Sequence, residues 1–418
     1  MAYLAAISTA TTIPLFIRTK GDLPQLSFPV VGSLSSVHLY ANNMKTALHS
    51  CSSAGSFVTW KCFHDCVTLI LVSGNEGGGQ VHPHHLLELL FGSLVLLLGQ
   101  GEVEGGDTET LKRSCKCCYP LLDSILEGSS LLSPLTQCLD VMVSSHKDIL
   151  LRTLEAFTEA AQSNFGCLTI NGRVCVATDS WWDLSSLEKC LLSLFVQSLP
   201  PSCATDIPVY LPHASNRVPH RLLTFTLLEG VLVSVLCNPK PPLSAVQELV
   251  SSYWSPVSLA LRDSAQLHPT NVPPSLKFEV EIEAFLLVNL EVQTSLTSLR
   301  PLGLPVRTTL SAGFQGEMSQ ERKLKCLSRF FRSTVDNLLP LHTGDSTDGT
   351  EVTTLRGRVS HKILETYTHA KRYKAYAVHR DKHNLFVIFS PSTTAFALRK
   401  MALNLLDYLT NTHEVLTG

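Results

Sequence analysis

Between residues 57 and 98 the chain spells out a hairpin, a loop and an apolar helix, a unit that it uses three times. Residues 57–63 (FVTWKCF) alternate and are rich in β-formers, which predicts a strand. His64-Asp65 is a tight break. Residues 67–72 (VTLILV) are more uniformly apolar, as for a strand covered on both faces. A glycine-rich connection, 74–79, follows, and Pro83 then sits near the start of an apolar run at 86–98. The run has 13 residues, only about 20 Å of helix against the ~30 Å of a bilayer core, and it contains Glu88, Gly92 and Ser93. It predicts a core helix, not a membrane span.

Around this unit the order is strand (3–8), strand (15–19), helix (26–43), strand (45–50), then the two strands and the helix just described. The 26–43 helix has Ser27 as a candidate cap, Pro29 in its first turn, and Val30, Leu34, Val37 and Tyr40 at helical spacing. A further amphipathic helix is expected at 107–126, with Leu111, Cys115, Cys118, Leu122 and Ile125 on one side. Ser133-Pro134 breaks the chain, and a helix at 147–163 carries Ile149, Leu150, Leu154, Phe157 and Ala161.

The seven elements then recur. Strands at 165–170 and 174–178 flank the type I′ signal Asn171-Gly172. A helix at 184–198, a strand at 208–211, a hairpin at 221–228 and 231–237 around Glu229-Gly230, and a helix at 243–261 follow. In the third pass, 285–302 reads as one helix or two strands. A helix at 319–339 capped by Ser319, a polar loop at 343–350, a strand at 359–369 and a hairpin at 373–379 and 385–389 come next. A helix at 393–409 closes the chain, with Phe396, Leu398, Met401, Leu405, Tyr408 and Leu409 as its apolar set. The fold class is therefore α/β (α+β): three tandem domains at 1–130, 164–266 and 267–418, joined by a helical connector at 131–163. Each domain is a five-stranded, mainly antiparallel sheet flanked by helices.

Apolar content of 44% and charged content of 16% suit folded domains and exclude a disordered chain. Thirteen cysteines, an odd number, with no Asn-x-Ser/Thr acceptor, point to free thiols in a reducing, cytoplasmic setting. The N-terminus has no basic segment and meets Pro14 early, so no signal peptide is expected. Covalent chemistry has little to stand on. Alternation along a hairpin separates the side chains of the Cys62-Phe-His-Asp-Cys66 stretch. Cys115-Lys-Cys-Cys118 lacks a second ligand pair, and His82-Pro-His-His85 lacks an acidic partner. Gly77–Gly79 lacks the Gly-Lys-Ser/Thr of a phosphate loop, and no Gly-x-Ser-x-Gly elbow occurs. Trp181-Trp182 reads as a packing staple or a peptide-binding lid. No catalytic residue, metal or cofactor is expected.

Charge is unevenly laid out. Between Gln320 and Lys400 stand fifteen Lys/Arg against seven acids, whereas the first 110 residues hold four against eight, so a near-neutral chain is polar in its charge layout. The densest part is Lys371, Arg372, Lys374, Arg380 and Lys382, read as one hairpin. A solvated face is the first reading of this set, and the functional alternative is an anionic, phosphoinositide-bearing membrane surface. Nucleic acid is not expected, because no RNA- or DNA-binding module is present. In the first domain the apolar residues exceed one helix stripe, which places a partner-binding surface at Leu34, Val37, His38, Leu39 and Tyr40.

Several segments carry a family resemblance: Val31-Gly-Ser-Leu-Ser-Ser-Val-His38, Trp60-Lys-Cys-Phe-His-Asp65, Leu135-Thr-Gln-Cys138, Pro208-Val-Tyr-Leu-Pro-His213 and Val218-Pro-His-Arg-Leu-Leu223. With the threefold element order they resemble the fuzzy-type planar cell polarity effectors, a tri-longin family. The likeness is densest over 26–240 and thinner after Leu267. It implies membership of the ciliogenesis and planar polarity effector complex, with the inturned protein and a WD-repeat planar polarity effector as partners. It also implies action at the ciliary base and basal body, associated with the cytoskeleton, in ciliogenesis, intraciliary transport and hedgehog signalling. The pair with inturned is similar to tri-longin exchange factors, which implies guanine-nucleotide exchange on a Rab-family GTPase, with a Rab-like small GTPase as a second partner. The alternative is a scaffold that recruits such a GTPase without exchange.

Overall fold

Three alternating stretches of the sequence become three antiparallel sets of five strands with one strand order. A computed structural model of the chain describes residues 2–20, 26–53, 55–74, 81–127, 132–200, 202, 204–276, 278–301, 318–335 and 365–411. They fall into two units, Met1–Asp140 with Ser144–Gln266 and Val141–Val143 with Leu267–Gly418.

The first unit opens with β1 (Ala2–Ser8), β2 (Pro14–Lys20), α1 (Phe28–Asn43), β3 (Ser50–Ser52), β4 (Ser56–Phe63), β5 (Val67–Gly74) and α2 (Val81–Leu98). The sheet runs β2-β1-β5-β4-β3. The uniformly apolar β5 lies at its centre, paired on both sides, which is why Val67, Leu69, Ile70 and Leu71 are all buried. His64 and Asp65 take φ of 49° and 52°, the positive values that a two-residue I′ hairpin turn requires. One face of the sheet, with Ala5, Ile7, Trp60 and Ile70, packs on Val31 and Leu34 of α1. The other face offers Lys61 and Phe63 to α2. Phe63 stacks on Phe91 at 4.2 Å, and Lys61 pairs with Glu88 at 2.6 Å.

A run of short helices follows: α3 (Gln100–Gly105), α4 (Thr108–Ser114), a 3₁₀ turn at Cys115–Cys118, α5 (Tyr119–Glu127) and α6 (Ser133–Thr136). Then come β6 (Leu139–Val141), α7 (Lys147–Ala160), β7 (Phe165–Ile170), β8 (Arg173–Ala177), α8 (Asp179–Trp182), α9 (Ser186–Ser198), β9 (Ala204–Leu211), β10 (Ser215–Leu228), β11 (Val231–Cys237), α10 (Leu243–Trp254) and α11 (Ser258–Ala265). The second sheet repeats the first order as β8-β7-β11-β10-β9. α2 is buried on nearly every side because α9 and β9 cover the flank that the first sheet leaves open. A Cβ on Gly92 would meet Leu191 Cδ1 at 2.9 Å, and one on Gly99, at φ +80°, would meet the Tyr210 ring at 2.9 Å. At the start of α9, Ser185 and Glu188 form a capping box, and Glu188 Oε1 also accepts from the backbone N–H groups of His213 and Ala214 at 2.9 and 2.8 Å.

The second unit contains β12 (Ile282–Asn289), β13 (Thr294–Leu299), α12 (Gln320–Val335), β14 (Glu365–Ala370), β15 (Tyr373–Arg380), β16 (His383–Phe389) and α13 (Ala395–Asn411). Its strands run β13-β12-β16-β15-β14, the same order a third time. Leu398, Ala402, Leu405, Leu406 and Leu409 of α13 pack on Phe285, Leu287, Val387 and Phe389. Under α12 the fully buried Lys323 ammonium lies 2.7 Å from Glu283 Oε2 and donates to Arg300 O.

Several expectations are corrected. The region 285–302, left open between one helix and two strands, is two strands, β12 and β13. The weak strand moves from 45–50 to Ser50–Ser52, because Lys45 at φ 55° turns the chain out of α1. The single helix expected at 107–126 is three pieces; Pro120 has no N–H to continue a helical ladder, and Asp107 caps the first piece through Thr110 N. The helix at 243–261 is split at Pro256 into α10 and α11. Ser27 stands at the N-cap of α1 but makes no side-chain capping bond. Ile149, Phe396 and Tyr408 face outward, leaving the neighbouring leucines to the core. Expectations at 75–79, 336–339, 343–350 and 359–364 lie outside the described residues.

Gly99 is fixed by both its backbone and its neighbour. Gly99→Ala should therefore lower unfolding free energy by about 1–3 kcal/mol in urea, and an unchanged midpoint would show that the Tyr210 contact yields freely. Burial pushes the Glu188 carboxyl up, but hydrogen bonds from Ser185, Ala214 and His213 together outweigh it and hold the group below the usual glutamate range. A lowered folded value means stability present above the unfolded pKa and lost as pH falls through the folded one. Glu188→Gln should cost about 1–3 kcal/mol near neutral pH and progressively less below about pH 4. A gap constant from pH 7 to 3 would contradict this.

Candidate interaction surfaces

α1 is amphipathic in the reverse of the sense that its composition suggests. Val31 and His38 point inward, Leu34 is half-buried against the sheet, and Trp60 Nε1 donates to Leu34 O at 3.1 Å. The outward side carries Phe28, Val30, Val37 and Tyr40, with Met44 at the C-cap, each between 44% and 69% exposed. Val30, Val37 and Met44 recur every seven residues with Tyr40 between them, the spacing of a helix–helix seam, over about 21 Å. Ser33 and Ser36 turn their hydroxyls back onto Pro29 O and Gly32 O, so they add no competing polar group to the stripe.

The five residues expected to bind a partner are therefore divided. Val37 and Tyr40 lie on the stripe. Leu34 and Leu39 are half-buried, and His38 is buried, its imidazole pKa lowered by burial and then by His49. Phe28, Val30 and Met44 belong to the same stripe and were passed over, although the seven-residue recurrence was there to be counted.

The basic set does not form one hairpin patch. Lys371 and Arg372 occupy the β14–β15 turn, while Arg380 and Lys382 lie at the other end of β15, about 24 Å away along the strand. At that far end the charges are matched: Arg380 pairs with Asp407 at 2.6 Å and Lys382 with Glu291. Lys374 Nζ donates to Thr393 O. What joins Lys371 and Arg372 instead is α12. Arg322, Lys325 and Arg329 face them across a cavity of about 420 Å³. Their i, i+3, i+7 spacing was legible, but not the strand turn opposite.

The remaining motifs settle into packing. Burial raises the thiols of Cys66, to about 11, and of Cys115, to about 12. Cys117 is the exception, lowered to about 7 by a hydrogen bond with Cys118, whose sulfur lies 3.8 Å away. No disulfide joins the described cysteines. Trp181 is buried with Trp182 edge-on at 5.3 Å, and Lys189 donates to Trp182 O, an arrangement of the staple kind. His84 lies edge-on to His49 at 5.9 Å; the His82 side chain is outside the described set. Among the described residues no group of three or more His, Cys, Asp or Glu is placed to hold a metal, and no helix is long and apolar enough to cross a membrane.

Three like-ordered sheets with flanking helices define a tandem longin protein. Residues 3–125 match the family described as First Longin domain of FUZ, MON1 and HPS1, residues 161–255 the Second, and residues 281–413 the Third. The chain is 35% identical over 405 residues to the Protein fuzzy homolog of Xenopus tropicalis, covering 96% of both. It is 34% identical over 416 residues to that of Homo sapiens, covering 98% of this chain and 97% of the relative. The chain belongs to the protein fuzzy homolog family.

Proposed function

We propose that the chain is a subunit of the ciliogenesis and planar polarity effector complex that pairs with the inturned protein to form a guanine-nucleotide exchange factor for a Rab-family GTPase. The observation that carries this is the set of three longin domains, of the type shared with MON1 and HPS1, along almost the whole chain. Exchange requires no bond-making residue of the exchanger. It requires a surface that binds the nucleotide-free GTPase better than the loaded one. In this reading the α1 stripe is the seam for the inturned partner, since a seven-residue apolar recurrence suits a second helix. A WD-repeat planar polarity effector and a Rab-like small GTPase complete the assembly. It works at the ciliary base and basal body, in the cytoplasm and on the cytoskeleton, in ciliogenesis, intraciliary transport, planar polarity and hedgehog signalling.

A second reading is supported by Lys371 and Arg372. The chain would act as an adaptor, holding a Rab-like GTPase at an anionic membrane without changing its nucleotide.

Val37→Glu with Tyr40→Glu should weaken binding of the inturned protein by about tenfold or more, because a desolvated apolar seam cannot accept two carboxylates. Both positions are exposed, so thermal unfolding should not shift. Undiminished binding by the folded variant would remove α1 from the interface. Release of a fluorescent GDP analogue separates the two functional readings. Exchange predicts acceleration only when the chain, inturned and the GTPase are all present; an adaptor leaves the release rate unchanged.

A further inference from the structure

We infer that the cleft between α12 and the β14–β15 turn is a binding site for a compact ligand carrying two or more phosphate groups. Arg322, Lys325 and Arg329 project from one face of α12, spaced along about 10 Å of helix. Lys371 and Arg372 close the cavity from the turn, and none of its lining residues is acidic. Lys325 has one carboxylate neighbour, Glu321 at 2.6 Å, and both side chains are 76% exposed, so solvent screens the pair. Among the described residues, Arg322, Arg329, Lys371 and Arg372 make no ion pair. Elsewhere in this unit Arg380 pairs with Asp407, Lys382 with Glu291 and Arg399 with Glu365. Among the described residues, five cations are thus held together with one carboxylate neighbour, Glu321. Their field reaches inward as well: Arg322 and Arg329 both oppose the burial that raises the Cys326 thiol.

The chemistry of the lining selects the ligand. Guanidinium forks match phosphate oxygens two at a time, and three of the five cations are arginines. One phosphate cannot reach along 10 Å of α12, whereas several phosphates on one small ring can. An extended single-stranded nucleic acid needs a series of stacking surfaces, and this cleft offers one aromatic ring, Tyr373. An inositol phosphate meets these demands, either free or as the head of a membrane lipid. The inference rests on the anionic-partner reading of Lys371 and Arg372 and is independent of nucleotide exchange.

The test uses the full chain with free inositol hexakisphosphate, and with phosphatidylcholine vesicles containing either phosphatidylserine or a phosphatidylinositol phosphate at matched charge. The cleft variant is Arg322→Gln with Arg329→Gln; the control is Arg380→Gln with Lys382→Gln. Wild type should bind the free inositol phosphate. The cleft variant should lose about tenfold or more in affinity, as expected for removing two charge-assisted contacts, and the control should lose none. Arg322→Lys with Arg329→Lys keeps the charge and should still lose part of the affinity. A lipid source is indicated if the phosphatidylinositol phosphate vesicles are also preferred over phosphatidylserine, and a free ligand if they are not. Equal losses in cleft and control variants, no binding of the free inositol phosphate, or equally tight binding of a singly phosphorylated peptide would each overturn the site. If vesicle binding then still falls on reversing Lys371, Arg372 and Lys374, the broader anionic-surface reading survives without the cleft.

Discussion

The first unit depends on the burial of α2. Its apolar residues are too many for one face, and a helix apolar all round is stable in water only when neighbours enclose it. The first sheet covers one flank, through Phe63 on Phe91. α9 and β9 cover another, with Gly92 giving room to Leu191 and Gly99 to the Tyr210 ring. Burying each leucine contributes about 1.5–3 kcal/mol, so the helix binds the first and second longin domains into one cooperative body. This explains why the backbone divides into two units, not three.

The recurrence of one strand order has a chemical counterpart. In each sheet the central strand, β5, β11 or β16, is paired on both sides, and its side chains are taken by the core. The strand orders end at β2, β3, β9 and β14. The described surface carries an apolar row on α1 and a cluster of charge beside α12. The buried Lys323–Glu283 pair lies beneath α12, inside the second unit.

Much of this was readable before any coordinates. The break at His64-Asp65, the I′ turn at Asn171-Gly172, the covered faces of β5 and the threefold order follow from local rules about φ, alternation and period, whereas the capping box of Ser185 and Glu188 was not read. Three kinds of information were not local. The orientation of α1 was misleading, because the sheet takes Val31 and His38 and turns the longer apolar row outward. Prolines 120 and 256 cut helices whose apolar spacing continued through the breaks. The basic residues were close in number but not in space, since a β-strand carries eight residues across a whole sheet. Only tertiary structure could bring Arg322 and Arg329 beside Lys371.

That separation along β15 gives the second unit an electrical direction. Among the described residues, one end of the strand is neutralised pair by pair, while the other presents its guanidinium and ammonium groups without matching carboxylates. Near a negatively charged plane such a body experiences a torque before it makes any contact, and the turn between β14 and β15 swings round to lead. Arrival is thereby oriented, with the strand axis pointing at the plane and the neutral end trailing toward the solvent.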